Sequence, residues 1–296
     1  MCMQTHRVRA RMDSGLNFLE GHVPPIDGLT QRVADFLFEY LLLNKHRLNL
    51  VEIEAKLGWV WDNELQERLK NYLADSECAL RHHDGYRFWS HVSKEFLDSA
   101  SEHLNSNYAI LLEREQPDVW ISSASEEDEI LELPGVGRVR RTTDLKTQEV
   151  SYMCKTPLDH LNMLAPHLPY DYRFTVSIEE PVSAPTPEGY AAAEKLYTRI
   201  KLRRTFVRGL WKVEITSVDA TDHIEKTRED KFEVEVECVD VPKLAKLSHA
   251  DFLQQVQILL NTVRTLAVLQ LRHVRDASSS SSASLSGEPD PKRPKL

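Results

Sequence analysis

The sequence predicts an α+β fold, an antiparallel β-barrel of about eight strands with amphipathic helices packed against its outside. Three observations predict it. From about residue 118 to 239 the hydrophobic period is 2, as in strands whose successive side chains face opposite ways. The polar faces of several of these strands each carry mainly one sign of charge. The segments on either side have the 3.6-residue period of helices whose apolar stripes need a surface to cover.

Residues 1–29, with Gly21, Pro24, Pro25 and Gly28 as breakers, read as an irregular segment ahead of one domain spanning 30–275. Thr30–Asn44 places Val33, Phe36, Leu37, Tyr40 and Leu41 on one helical stripe. A strand follows at Leu48–Leu57, then a helix over Asp62–Leu73 and a third helix within Lys94–Leu104. Strands are expected at 118–122, 129–133, 136–143, 148–155, 171–180, 197–207, 211–218 and 231–239. The acidic run Glu126–Glu129 and the proline-rich stretch Pro181–Pro187 read as loops. A helix from Ser248 to about Arg272 closes the domain, with Phe252, Val256, Leu259, Leu260, Val263, Leu266, Ala267 and Leu271 as its stripe. Residues 276–296 hold the run Ser278–Ser282 and the ending Pro291-Lys-Arg-Pro-Lys-Leu296, too polar to order themselves. That basic end suits either a nuclear-import signal or a solvated terminus.

Composition narrows the class. With 41% hydrophobic and 28% charged residues the chain reads as an ordinary soluble protein. Arg7, Arg9 and Arg11 precede no apolar run, and Phe36–Leu43 is too short to span a membrane, so the expectation is an intracellular protein. Four scattered cysteines argue against a disulfide framework or a thiolate zinc site. A net charge of −9 excludes coating nucleic acid with the whole surface; a polyanion would need a locally basic site.

Sorting the strands by face exposes such a site. Glu52, Glu54 and Lys56 share one face opposite Val51, Ile53, Ala55 and Leu57. Glu233, Glu235 and Glu237 alternate with Phe232, Val234, Val236 and Cys238. Arg199, Lys201, Arg203 and Thr205 alternate with Ile200, Leu202 and, less comfortably, Arg204. Lys212, Glu214 and Thr216 share a face, as do Arg173, Thr175, Ser177 and Glu179, then Arg138, Arg140 and Thr142, and Glu149, Ser151 and Lys155. Glutamates at i and i+2 lie about 6.5–7 Å apart, where each pair repels by roughly 2–3 kcal/mol at an effective dielectric of 20. A face turned to water has no need of three. Pointing the apolar faces outward gives the helices a surface and sends the charges inward.

Enclosed charges require counter-charges. Clustered glutamates tolerate one another around a shared divalent cation, and oxygen ligands indicate magnesium or manganese. Clustered arginines and lysines tolerate one another around phosphate oxygens. A metal–triphosphate complex supplies both.

The strands Val51-Glu-Ile-Glu-Ala-Lys56, Arg199-Ile-Lys-Leu-Arg-Arg-Thr-Phe206 with Trp211-Lys-Val-Glu-Ile-Thr216, and Phe232-Glu-Val-Glu-Val-Glu237 resemble the metal-dependent RNA 5′-triphosphatases of mRNA capping, which are triphosphate tunnel enzymes. The resemblance spans roughly residues 48–240. It implies Glu52, Glu54 and Glu237 as metal ligands with Mg2+ or Mn2+, and Glu233 and Glu235 as the rest of the acidic wall. It implies Lys56, Arg199, Lys201 and Arg203 on phosphate, with Arg138 or Arg140 as a further phosphate-binding arginine and Lys155 as the lysine of the next strand. Glu179 corresponds to the glutamate that orients the attacking water. Lys212, Glu214 and Thr216 match a supporting strand in which the family commonly has aspartate at the position of Glu214, and Ser217 stands where some members have lysine. The implied substrate is the 5′-triphosphate end of nascent RNA, the product a diphosphate end, the partner an RNA guanylyltransferase, and the location the nucleus, otherwise the cytoplasm. Oligomeric state has no signature in the sequence.

Other routes to phosphate chemistry are missing. There is no G-x-x-x-x-G-K-[ST], no cysteine opening a C-x5-R loop and no H-E-x-x-H. His223-Ile-Glu225 lacks the C-x-x-C a zinc deaminase requires, and His82-His83 reads as a surface feature. The remaining alternatives are a tunnel phosphatase for inorganic triphosphate, polyphosphate or another organic triphosphate, and a non-catalytic β-domain that binds polyphosphate or a protein.

Overall fold

The computed structural model describes residues 27–269 except 71–75, 81, 83 and 117. The expected N-terminal segment up to residue 26, the end of the closing helix beyond 269 and the serine-rich tail with its basic end lie outside the described residues.

Eight strands close the barrel. They are β1 (Val51–Asp62), β5 (Val119–Leu133), β6 (Gly137–Asp144), β7 (Val150–Leu164), β8 (Asp171–Pro181), β9 (Glu194–Arg208), β10 (Trp211–Asp222) and β11 (Thr227–Cys238). Neighbours run in the order β11-β10-β9-β5-β6-β7-β8-β1, and β1 pairs back onto β11. Every pairing is antiparallel. Short strands β2 (Glu67–Arg68), β3 (Cys78–Ala79) and β4 (Tyr86–Trp89) extend the sheet outside the ring, β2 and β4 on β1 and β3 on β7. Gly58 is where the end of β4, paired antiparallel with β1, comes closest to it: an added Cβ would sit 2.2 Å from the Trp89 carbonyl oxygen, so only glycine fits.

The apolar faces point outward, as the period-2 pattern requires. Ile53, Phe174, Val176, Val213 and Val236 are buried beneath the helices. Helix α1 (Gly28–Leu43) begins where the Asp27 carboxylate accepts the Thr30 amide hydrogen at 2.7 Å. It packs on α5 (His249–Ala267), which starts at a Ser248 cap; Thr30 donates its hydroxyl to Gln257 at 2.8 Å between them. Helix α2 (Lys94–Glu113) lies over β5, β10 and β11, and its Tyr108 meets Phe206 of β9 edge-on at 5.2 Å. Two short helices, α3 (Pro187–Ala191) and α4 (Val241–Leu244), fill connections.

The structure corrects several expected elements. Leu48–Leu50 is a 3-10 turn, and the strand begins at Val51 and runs on to Asp62. Residues 62–70 form a turn and β2 instead of a helix, because the Asp62 carboxylate caps the amides of Glu64 and Leu65. Helix α2 is two turns longer than expected at its C-terminal end. The largest correction is Glu126–Glu129. It lies within β5, where 118–122 and 129–133 merge into one strand.

Candidate active site

The inward faces enclose a cavity of about 450 Å³. Among the described residues, nine carboxylates and seven cations line it, with the Thr142 and Ser151 hydroxyls. From β1 come Glu52, Glu54 and Lys56; from β11, Glu233, Glu235 and Glu237; from β9, Arg199, Lys201 and Arg203; from β10, Lys212 and Glu214. Arg140 of β6, Lys155 of β7 and Glu179 of β8 complete the set expected from the sequence. Strand register brings these groups together. Glu54 lies opposite Glu237 and Lys56 opposite Glu235 across β1 and β11. Glu237 faces Lys212, and Glu235 faces Glu214, across β11 and β10.

Two expected residues fall outside. Arg138 shares a face with Arg140 but sits two residues further along β6, about 7 Å away, exposed beside Glu132 at the hairpin end. Arg140 is therefore the arginine that reaches the cavity. Thr216 points inward but lies buried between Arg203 and Glu233 in register, without reaching the cavity surface. Glu149 is exposed in the turn before β7, while Ser151 and Lys155 line the wall. Arg204 turns outward and lies against the Phe206 ring at 5.4 Å, which resolves its awkward place in the pattern.

The sequence reading missed Asp128 and Glu126. Asp128 is fully buried. It accepts the Thr142 hydroxyl at 2.7 Å and pairs with Arg199 at 2.9 Å and Lys201 at 2.5 Å. Glu126 lies 3.9 Å from Arg203. Four consecutive acids look like a solvated loop, but alternation sends 126 and 128 into the cavity and 129 outside. There Glu129 is held by Arg141 at 2.8 Å, by Lys195 and by the Tyr190 hydroxyl at 2.7 Å. The available signal was the alternation Ser-Glu-Glu-Asp-Glu-Ile running directly into Leu-Glu-Leu.

Each cavity cation has a carboxylate. Lys155 reaches Glu52, Glu54 at 3.5 Å and Glu179 at 3.7 Å. Lys56 holds Glu235 and, at 3.1 Å, Glu54. Lys212 bridges Glu214 at 3.1 Å and Glu237 at 3.0 Å; Arg203 lies 3.5 Å from Glu214 and Arg140 3.1 Å from Glu179. Burial works against Lys56, yet Glu235 and Glu54 outweigh it and raise the ammonium well above its ordinary value. Burial likewise opposes Glu235, but Lys56 and Arg203 hold it down to about 2. Burial, partly offset by Lys212 and reinforced by Glu214 and Glu52, pushes Glu237 up to about 7. Glu54 also rises, through burial and through Glu235 and Glu52, against the pull of Lys56 and Lys155. Lys201 falls below the ordinary lysine value because burial and its neighbours Arg199 and Arg203 outweigh Asp128.

The acids exceed the cations by two, and two of the acids are short of positive charge. That donor set fits one divalent cation beside Glu52, Glu54 and Glu237. Among the described residues no three donors are already gathered as a finished metal cage. These carboxylates instead close on Lys155, Lys56 and Lys212, so loading a metal would require the lysines to turn from the glutamates toward an incoming anion.

The family described as "mRNA capping enzyme, beta chain" matches residues 23–269. The chain is 25% identical over 266 residues to the mRNA-capping enzyme subunit beta of Schizosaccharomyces pombe, covering 85% of this chain and 84% of that one. It is 24% identical over 257 residues to the same subunit of Cryptococcus neoformans, covering 84% of this chain and 62% of that longer one. The fold matches the structure of the S. pombe Pct1 RNA triphosphatase with a TM-score of 0.71 at 24% identity, covering 86% of this chain and 97% of that one.

Proposed function

The chain belongs to the mRNA capping enzyme beta-chain family, and on that premise we propose that it is a metal-dependent RNA 5′-triphosphatase. It removes the γ-phosphate from triphosphate-ended RNA and leaves the diphosphate end that a guanylyltransferase, as partner, would take in the nucleus. The observation that carries this reading is the closed barrel with nine carboxylates and seven cations sorted by strand on one enclosed surface.

Glu52, Glu54 and Glu237 would hold the divalent cation, magnesium or manganese; when bound, it supplies charge neutralisation at the phosphate oxygens. Arg203, Lys201, Arg199 and Arg140 grip the triphosphate, the arginines through paired N–H groups. Lys56, Lys155 and Lys212 exchange their carboxylates for phosphate oxygens as substrate enters. Asp128 and Glu214 keep their cations placed, and Glu233 and Glu235 complete the acidic wall. Glu179, steadied by Arg140 and Lys155, orients a water for in-line attack on the γ-phosphorus. The new P–O bond forms to water as the bond to the β-phosphate oxygen breaks; the cations bear the charge that collects on the leaving diphosphate. No covalent nucleophile is required, because positioning and charge dominate phosphoryl transfer.

The test is phosphate release from γ-labelled triphosphate-ended RNA, ATP and inorganic triphosphate, with magnesium and with manganese. Release from RNA that Glu52→Ala abolishes supports the reading. Release confined to inorganic triphosphate would make this a general tunnel phosphatase. No release with either metal would leave a binding domain for polyphosphate or protein.

A further inference from the structure

We propose that Arg173 forms a separate anion site at the margin of the tunnel, which takes a backbone phosphodiester of the RNA downstream of the triphosphate. This rests on the RNA 5′-triphosphatase reading above.

Arg173 lies on β8 directly opposite Lys56 of β1 on one side and Asn162 of β7 on the other, with its side chain on the inward face. It does not line the 450 Å³ cavity; it stands one strand along from Lys56, which does. Every cation of the cavity is paired with a carboxylate. Arg173 has none among the described residues. Its Nε donates to the Asn162 side-chain oxygen at 2.7 Å, and its guanidinium carbon stands 4.7 Å from the centre of the Phe88 ring on β4. The terminal nitrogens make no hydrogen bond among the described residues. Burial lowers its pKa to about 10, against a smaller upward pull from the neighbouring Tyr86. Nearby His160, half-buried, is pushed below the ordinary histidine value by burial and by Arg173. The adjacent carboxylate, Asp159, points to the other face, where it accepts the Tyr40 hydroxyl at 2.6 Å.

A half-buried guanidinium with no acid beside it is costly to keep. Phe88 and Asn162 nevertheless fix its plane, and among the described residues they leave the donor fork open. That fork matches a phosphate, and its fixed plane reduces the ordering cost of binding one. The triphosphate's own oxygens are met by the cavity cations. The next anion along a substrate that emerges past Lys56 is the first phosphodiester. RNA has that group; ATP and inorganic triphosphate lack it. Arg173 would therefore distinguish an RNA end from a free triphosphate.

The experiment measures kcat/KM for γ-labelled triphosphate-ended RNA and for inorganic triphosphate at several salt concentrations, in wild type, Arg173→Gln and Arg173→Lys. The ratio of RNA to inorganic triphosphate should fall roughly tenfold in Arg173→Gln, carried by KM for RNA, as expected for losing one charged hydrogen-bonding contact. The slope of log kcat/KM against log salt for RNA should become shallower by about 0.7, one single-stranded phosphate contact. Arg173→Lys should retain that slope. A parallel fall with both substrates, complete inactivity included, would make Arg173 a strut for β4; an unchanged ratio would overturn the site equally. If wild type releases no phosphate from RNA, the function proposed above fails first. If it does release phosphate and the ratio stays constant, only the Arg173 site fails.

Discussion

Replacing Asp128 with Asn isolates one charge in the tunnel wall. Asparagine keeps the volume and can still accept the Thr142 hydroxyl, but it leaves Arg199 and Lys201 facing an uncharged group. Asp128 is fully buried and Lys201 is nearly so. Breaking a buried ion pair from one side costs about 3–5 kcal/mol, a fall in Tm of roughly 6–20 °C for a domain of this size. The loss is bounded because Lys201 can discharge. Its pKa already sits below the ordinary value, and Asp128 is the neighbour that raises it. In D128N the ammonium should titrate at lower pH, so kcat/KM should decline with rising pH earlier than in wild type. Losing one preorganised donor to the transferring phosphate costs about 10²–10³ in rate. Thermal melts with and without inorganic triphosphate provide the assay. The anion should restore more stability to D128N than to wild type, because it supplies the missing negative charge. A D128N protein with wild-type Tm, pH profile and turnover would refute the assigned role.

Glu54→Gln should abolish phosphate release while keeping the melting temperature at or above wild type, since it relieves repulsion from Glu52 and Glu235; a large fall in Tm would make Glu54 structural. Arg203→Lys should lower kcat/KM by about tenfold or more by losing the planar two-point grip, and unchanged kinetics would place Arg203 outside the phosphate site. In metal-free protein Glu237 has a folded pKa of about 7 against 4.5 unfolded, so the folded state holds the extra proton between those values. Its contribution, about 3 kcal/mol, is present below pH 4.5 and lost as pH rises through 7. Melts in chelator should show this decline in wild type and a flatter profile in E237Q. Manganese binding near pH 6 should release about one proton in wild type and fewer in E237Q, as isothermal titration in two buffers would show.

The barrel was legible because alternation is strict where one face is charged and the other buried. Glu52-Ile53-Glu54 and Glu233-Val234-Glu235-Val236-Glu237 leave no other register, since a one-residue slip would turn the glutamates onto the helices. The helices were legible from their stripes. Asp128 was not, because in Glu126–Glu129 both faces of the strand carry acids. The outer acid Glu129 is neutralised by Arg141, Lys195 and Tyr190, partners far apart in sequence. The turn at 62–70 has a helical pattern in the sequence because charged and apolar residues there mimic a 3.6 period; the local Asp62 cap and Arg68, whose guanidinium binds Asp171 at 2.6 Å, bind the segment to the barrel instead. The choice between Arg138 and Arg140 needed strand length relative to the cavity, which parity alone does not carry.

The most direct test is anomalous diffraction from crystals soaked with manganese and inorganic triphosphate. One manganese peak should lie among Glu52, Glu54 and Glu237, with phosphate density on Lys201 and Arg203 inside the barrel. Manganese away from those carboxylates, or phosphates bound only on the outer surface, would contradict the tunnel as the site of chemistry.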